Sequence, residues 1–220
     1  MTSLELAAKT LELYDDDNLV PCYGFGDATT AGEFVFSFFN ENVPARGMKT
    51  LLGRYKQIAA SVYMLGPTSF APVIRQAMRD VYDSGMKFHV LLILADGHVS
   101  MECQEETKKA IVEACEFPLS IVVVGVGDGP WSAMHEFDNG LPQRSWDNFH
   151  FLEFNKGGPI SETALSRAGV EETFKLNVLA ELPDQYAAAR RLIGDHRKAR
   201  VASLVRNDAI PTPLNPPGRD

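Results

Sequence analysis

Asp96 is the residue whose position in the sequence is best suited to chemistry. It follows the apolar run Leu91 to Ala95 and precedes Gly97, a pattern typical of a buried strand that ends in a turn. A carboxylate at that position suits a hard divalent cation held by oxygen ligands. An aspartate that caps a turn or the next helix would look the same, so both interpretations remain open.

Thr68 and Ser69 offer two hydroxyl oxygens in the loop from Gly66 to Pro72, just before a predicted helix. Either hydroxyl could serve as a second oxygen ligand beside Asp96. Either could equally be the N-cap of the helix, which is a common role for Ser and Thr.

Two further aspartates, Asp27 and Asp128, follow glycine-rich ends of strand-like segments. The stretch Gly125–Gly129 imitates a dinucleotide fingerprint and favours, as a second hypothesis, a nucleotide-binding oxidoreductase. Pro130 stands where the third glycine is expected. The stretch before Asp27 runs into strand-like residues, whereas the fingerprint needs the N-terminus of a helix.

The usual catalytic motifs are absent from the sequence, which contains no G-x-S-x-G, no P-loop and no H-E-x-x-H. Their absence excludes the usual hydrolase, NTPase and metalloprotease readings. The five histidines are scattered without ligand spacing. The three cysteines form no C-x-x-C pair, so neither a disulfide framework nor a zinc ribbon is predicted.

The elements that must position these residues are buried strands that alternate with helices. The three strongest strand predictions are Leu19 to Gly26, Phe88 to Ala95 and Leu119 to Gly125, with Phe149 to Phe154 and Val35 to Phe39 as edge candidates. Their continuous Val, Ile and Leu content predicts strands that are covered on both faces of a parallel sheet.

Helical periodicity lies between the strands. The predicted helices cover residues 47–62, 70–84, 105–115, 132–138, 171–182 and 183–194. This alternation predicts a doubly wound, mostly parallel α/β fold, in which ligands bind at the C-terminal ends of the strands. We predict one such domain over residues 1–158, followed by a helical extension and a Pro-rich tail over residues 159–220.

The formal net charge of -8 argues against nucleic-acid binding, because phosphate backbones are bound by clustered Lys and Arg. No stretch approaches the roughly 20 apolar residues of a spanning helix, and the start lacks a secretory leader pattern. Together with the odd number of cysteines, these features predict a protein of the reducing cytoplasm.

Four segments in order resemble the copine-type von Willebrand factor A domain. They are Tyr14 to Asp27, Gly66 to Pro72, Leu94 to Gly97 and Leu119 to Trp131, with Leu179 to Tyr186 similar to the segment after the last strand. The details at Trp131 and Tyr186 look like those of the copine-like domain in plant-type RING-domain ubiquitin ligases. The resemblance covers about residues 10–195.

The resemblance implies a non-catalytic protein-interaction module with a metal-ion-dependent adhesion site. Thr68 and Asp96 would be metal ligands for Mg²⁺ or Mn²⁺, or for Ca²⁺, and an acidic residue of a protein partner would complete the coordination. The partner-binding surface around the ion would include Asp27, Ser69, Gly97 and Asp128.

One departure is that the first metal loop of the family, D-x-S-x-S, is absent from the sequence. The resemblance therefore implies a domain that is incomplete at its N-terminus, without a central strand and its ligands. Several interpretations are left open. The chain could be a truncated product, or another segment or a second chain could fill the gap. The chain could also be an adaptor fragment of a ubiquitin-ligase-type protein. Peripheral membrane association and ubiquitin transfer would belong to other domains.

Overall fold

The computed structural model describes residues 3–12, 15–96, 99–141, 144–154 and 167–205. In chain order its strands are β1 Leu19–Val20, β2 Tyr23–Gly24, β3 Phe36–Ser37, β4 Ala45–Arg46, β5 His89–Ala95, β6 Leu119–Gly125 and β7 Phe149–Glu153. The α-helices are α1 Ser3–Leu11, α2 Gly47–Ala59, α3 Ala71–Asp83, α4 Met101–Ala114, α5 Ser132–Asn139, α6 Arg167–Leu179, α7 Leu182–Ala189 and α8 Lys198–Val201.

The centre of the fold is a parallel three-stranded sheet in the order β5-β6-β7. In its register Leu91 pairs with Ile121, and Val123 pairs with Phe151. The predicted edge strand Phe149 to Phe154 is confirmed as β7. Among the described residues none pairs with the other edge of β5, so β5 forms an open edge of this sheet.

The two faces of the sheet are covered by different helices, as alternating side chains require. Ile121 and Val123 belong to a core that also contains residues of α3, α4 and α5. Val122 and Val124 belong to a second core that contains residues of α1 and α6. The predicted α/β fold with helices on both faces is thereby confirmed.

The prediction of a buried parallel strand over Leu19 to Gly26 is wrong. The segment forms two short strands, and each pairs antiparallel with a different partner: β1 with β4 and β2 with β3. Pro21 lies between them and has no N–H to donate to a continuous ladder. The second edge candidate, Val35 to Phe39, is confirmed only as the two residues of β3.

The predicted helices are present with shifted ends. Helix α4 begins four residues before the predicted start, because Ser100 has the extended backbone of an N-cap and Glu102 lies in the first turn, where a negative charge is favourable. Helix α7 ends at Ala189 and continues only as a short 3₁₀ turn.

Three predictions fall outside the described residues. They concern Gly97, the domain boundary at residue 158 and the Pro-rich end of the chain. Within the described ranges, no helix is both long and apolar enough to cross a membrane.

Candidate functional site

The loops after β5 and β6 lie side by side, as expected for neighbouring parallel strands. The N–H of Val126 donates to the carbonyl of Ala95 over 2.8 Å. A Cβ atom on Gly127 would be 3.3 Å from the carbonyl oxygen of Asp96. Asp96 and Asp128 are both exposed on these adjacent loops, so the structure brings two of the predicted residues onto one surface.

Thr68 joins this surface because its loop is tied to the loop after β5. The N–H of Thr68 donates to the hydroxyl of Ser100 over 2.9 Å, and the N–H of Ser100 donates to the carbonyl of Thr68 over 3.0 Å. A Cβ atom on Gly26 would be 4.0 Å from the Thr68 hydroxyl oxygen. The half-buried Thr68 therefore lies where the loop after β2 meets the loop after β5.

Ser69 lies below this surface, with only 3 % of the residue exposed. Burial and Glu102 raise the pKa of the Cys103 thiol, and a hydrogen bond with Ser69 partly offsets that rise. The interpretation of Thr68 or Ser69 as an N-cap is not what the structure shows, because Phe70 is the N-cap of α3 and no side chain caps the helix.

Asp27 is also buried, and its carboxylate is used within its own turn. Thr29 and Thr30 donate their hydroxyls to it over 2.7 and 2.6 Å, and the N–H of Thr30 donates over 2.9 Å. Burial by itself would raise the pKa of Asp27, but the hydrogen bonds from Thr30 and Thr29 lower it below its ordinary value. Asp27 thus shapes the loop from inside.

The glycine-rich loop after β6 is occupied by an aromatic ring. A Cβ atom on Gly125 or on Gly129 would be within 3.0 Å of the Trp131 side chain. Trp131 is buried and its ring centroid lies 5.6 Å from that of Phe151. Packing against Trp131 explains both glycines without a nucleotide, and the oxidoreductase hypothesis gains no support from this geometry.

Large apolar side chains stand exposed beside these loops. Tyr63, Met64 and Leu65 are 81, 70 and 69 % exposed, and Met101 is 82 % exposed. The strip from residue 63 to 65 is attached to the loop after β2, because Met64 forms an antiparallel bridge with Asp27. Exposed apolar groups of this kind are typical of interaction sites. Sequence reasoning missed them, although three large apolar residues directly before Gly66-Pro67 were a visible signal.

The donor atoms at this surface are of the type that a hard divalent cation takes as ligands. Thr68 contributes a hydroxyl oxygen and Asp96 an exposed carboxylate, and oxygen is the ligand that Mg²⁺, Mn²⁺ and Ca²⁺ prefer. Such ions take six or more ligands, so two side chains leave most positions for water and for groups of a partner.

Comparisons with known proteins agree on one family. The family model described as Copine matches residues 2–197. The E3 ubiquitin-protein ligase RGLG5 of Arabidopsis thaliana is 44 % identical over 200 residues, which are 86 % of this chain and 46 % of that protein. RGLG3 of the same plant is 41 % identical over 221 residues, covering 96 % of this chain and 59 % of the relative.

A nematode relative extends the match beyond plants. Copine family protein 1 of Caenorhabditis elegans is 38 % identical over 212 residues, which are 96 % of this chain and 19 % of that protein. This chain therefore spans about half the length of the two plant relatives and a smaller share of the nematode protein.

Proposed function

The chain belongs to the copine family, and we propose that it is a non-catalytic protein-interaction module that binds an acidic group of a partner through a divalent cation. The observation that carries the proposal is that four loops meet near Thr68 and Asp96, beside exposed apolar side chains. Interaction sites commonly combine exposed apolar side chains with a few polar groups, and surrounding contacts that exclude water strengthen the central interactions.

Thr68 and Asp96 would hold the ion, with Mg²⁺ or Mn²⁺ as the first candidates and Ca²⁺ as the third. When bound, the ion would supply positive charge and an open coordination position to an acidic side chain of the partner. Asp128 lies on the adjacent loop and would contact the partner directly. Asp27 is hydrogen-bonded within its own turn and Ser69 is buried, so these two residues would support the loops and would not contact the partner.

The relatives named E3 ubiquitin-protein ligase suggest the setting in which such a module works. Within a longer protein of that kind, this chain would act as the adaptor that binds a partner, while catalysis would belong elsewhere. All three cysteines are free thiols, which agrees with work in the reducing cytoplasm.

Calorimetric titration of the chain with Mg²⁺ and with Mn²⁺ tests the cation site. We expect one ion per chain, and we expect Thr68→Ala and Asp96→Ala each to weaken binding at least about tenfold, because each removes an oxygen ligand. Asp16→Ala is the matched control, since it removes an exposed carboxylate from another part of the chain.

Unchanged affinity in Asp96→Ala would contradict the proposed ligand set. Failure of the parent chain to bind either ion would overturn the cation-dependent form of the proposal. An unchanged thermal midpoint in the variants, measured without metal, confirms that lost binding does not come from unfolding.

A further inference from the structure

A second group of possible metal ligands lies near the N-terminal end of β7, at the opposite end of that strand from the loops described above. It comprises Asp138 in the last turn of α5, His150 in β7 and Glu181 just before α7. One ligand atom of each residue can be chosen so that all lie within 4.8 Å of one another. All three residues are half-buried.

The histidine ring is oriented by a backbone carbonyl. Nε2 of His150 lies 3.0 Å from the carbonyl oxygen of Asn177, and a carbonyl can only accept, so Nε2 carries the hydrogen. In the neutral ring the lone pair is therefore on Nδ1. A backbone carbonyl that holds the other ring N–H is the usual arrangement around a metal-bound histidine.

The Nδ1 atom of His150 points at a carboxylate oxygen, since Glu181 Oε1 lies 3.0 Å away. The distance is that of an ion pair, but Nδ1 is buried and the contact lacks the geometry of a hydrogen bond. The other oxygen of Glu181 accepts a hydrogen bond from Gln185 over 3.3 Å. Nε2 of His150 and Oε2 of Glu181 are thus held by hydrogen bonds, and Nδ1 and Oε1 lie next to each other.

Asp138 adds a second carboxylate at a place that disfavours it. Burial and the negative charge of Glu181 raise the pKa of Asp138 to about 6. Asp138 also lies in the last turn of a helix, where the helix dipole favours positive charge. A cation between the two carboxylates would relieve the repulsion, the burial cost and the dipole conflict together.

We propose that Asp138, His150 and Glu181 bind a divalent transition metal ion, with Zn²⁺ as the first candidate. One imidazole nitrogen and two carboxylate oxygens suit Zn²⁺, whereas Mg²⁺ and Ca²⁺ prefer oxygen alone. The side chain of Glu181 is 42 % exposed, so the fourth position opens to solvent and would take water or a group of a partner. This site is separate from the one at Thr68 and Asp96 and goes beyond the proposed function.

Titration of the whole chain with Zn²⁺ in the presence of excess Mg²⁺ tests the proposal. We expect one Zn²⁺ per chain, and at least tenfold weaker binding in His150→Gln and in Asp138→Asn. Substitution with Co²⁺ should give the visible absorption of a tetrahedral site with nitrogen and oxygen ligands, and both variants should lose it.

His135→Gln is the matched control for a nearby histidine. His135 is exposed and lies 3.3 Å from Glu153, so its loss should leave Zn²⁺ binding unchanged. Cys103→Ser should also leave Zn²⁺ binding unchanged. Weaker binding in this variant would show that the thiol binds the ion. Thr68→Ala should also keep Zn²⁺ binding, which separates the outcome here from the outcome of the Mg²⁺ experiment.

Asp138→Asn protects the test against misfolding, because it removes an unfavourable charge while preserving the shape of the side chain. Without metal, this variant should melt at or above the temperature of the parent. With Zn²⁺, the parent should gain thermal stability and the variant should not.

The proposal is overturned if the parent binds no Zn²⁺, or if Asp138→Asn and His150→Gln bind it as tightly as the parent does. In that case the cluster holds only the contact between His150 and Glu181, with Asp138 beside it.

Discussion

The strands β5 and β6 have nearly the same apolar composition but different surroundings. The sequence of β5 is HVLLILA and that of β6 is LSIVVVG, and the two pair residue by residue over seven positions. Every residue of β6 is buried, whereas only Ile93 and Ala95 of β5 are. Strand β6 has a neighbour on each side, and β5 has one among the described residues.

The difference teaches that an apolar run indicates membership of a sheet and not the number of neighbours. Helices of both cores pack against both strands, so the covering of the faces is shared. What β5 lacks, within the part of the chain that the structure describes, is a second lateral neighbour. An unpaired apolar edge of this length is a surface on which another strand can pair.

Replacing two paired residues, one on each strand, should give the largest difference between β6 and β5 in the cost to stability. Ile121 is fully buried and pairs with the half-buried Leu91. We expect Ile121→Ala to lower the free energy of unfolding by about 2–5 kcal/mol, because it leaves a cavity in a covered core. Leu91→Ala should cost about 1 kcal/mol, since part of its surface already contacts solvent.

Urea denaturation of both variants measures the two costs on the same chain. Similar costs would show that β5 is as covered in solution as β6, and would contradict the comparison. Tyr63→Ala is the control for an apolar residue that is 81 % exposed, and it should change stability by less than about 0.5 kcal/mol.

The sheet itself could be predicted because two continuous apolar runs, at β5 and β6, and the alternating segment at β7 carry enough information for their strands. The failure at Leu19 to Gly26 has a specific cause. Its neighbours in space, β3 and β4, lie far along the chain, and Pro21 divides the run. A local pattern cannot show which distant segment will supply the hydrogen bonds.

The site divides in the same way. That Asp96 and Asp128 lie on adjacent loops could be predicted, because strand ends in a parallel sheet meet at one edge. The burial of Asp27 and Ser69 could not be predicted. In the sequence, an aspartate that is hydrogen-bonded inside its own turn cannot be distinguished from an exposed aspartate. The cluster of Asp138, His150 and Glu181 comes from three elements spread over more than forty residues, so no spacing in the sequence reveals it.

Hydrogen exchange sharpens the comparison at the level of single amides. The N–H of His89 donates to Pro118 and the carbonyl of Ala95 accepts from Val126, so odd-numbered residues of β5 face β6. The amides of Val90, Leu92 and Leu94 therefore face the open edge. We expect them to exchange on the order of a hundredfold faster than the amides of β6.

Slow exchange at these three amides would show that the edge is paired in solution. Light scattering at the same concentration then decides whether a second copy of the chain supplies the strand. A monomer with slow exchange at the three amides would contradict the open edge outright.

The smallest expected effect concerns a polar cluster on helix α3, which packs against both strands. Asp80 accepts hydrogen bonds from Tyr23 over 3.2 Å and from Gln76 over 2.8 Å. Burial raises the pKa of Asp80 to about 6 despite these bonds. Unlike the apolar cover of β6, this part of the core is therefore sensitive to pH.

Between about pH 4 and pH 6 the folded chain keeps a proton on Asp80 that the unfolded chain has released. The folded state binds more protons in that window, so its stability falls as the pH rises and becomes level above about pH 6. Asp80→Asn should remove this contribution to the slope and stabilise the chain at pH 7 by about 1–2 kcal/mol. Urea denaturation across the window, with the exposed Asp16→Asn as control, measures the effect. If the slope of stability against pH is unchanged in Asp80→Asn, solvent reaches the Asp80 carboxylate as freely as it reaches an exposed carboxylate. This part of the core would then be as open to solvent as the edge of β5.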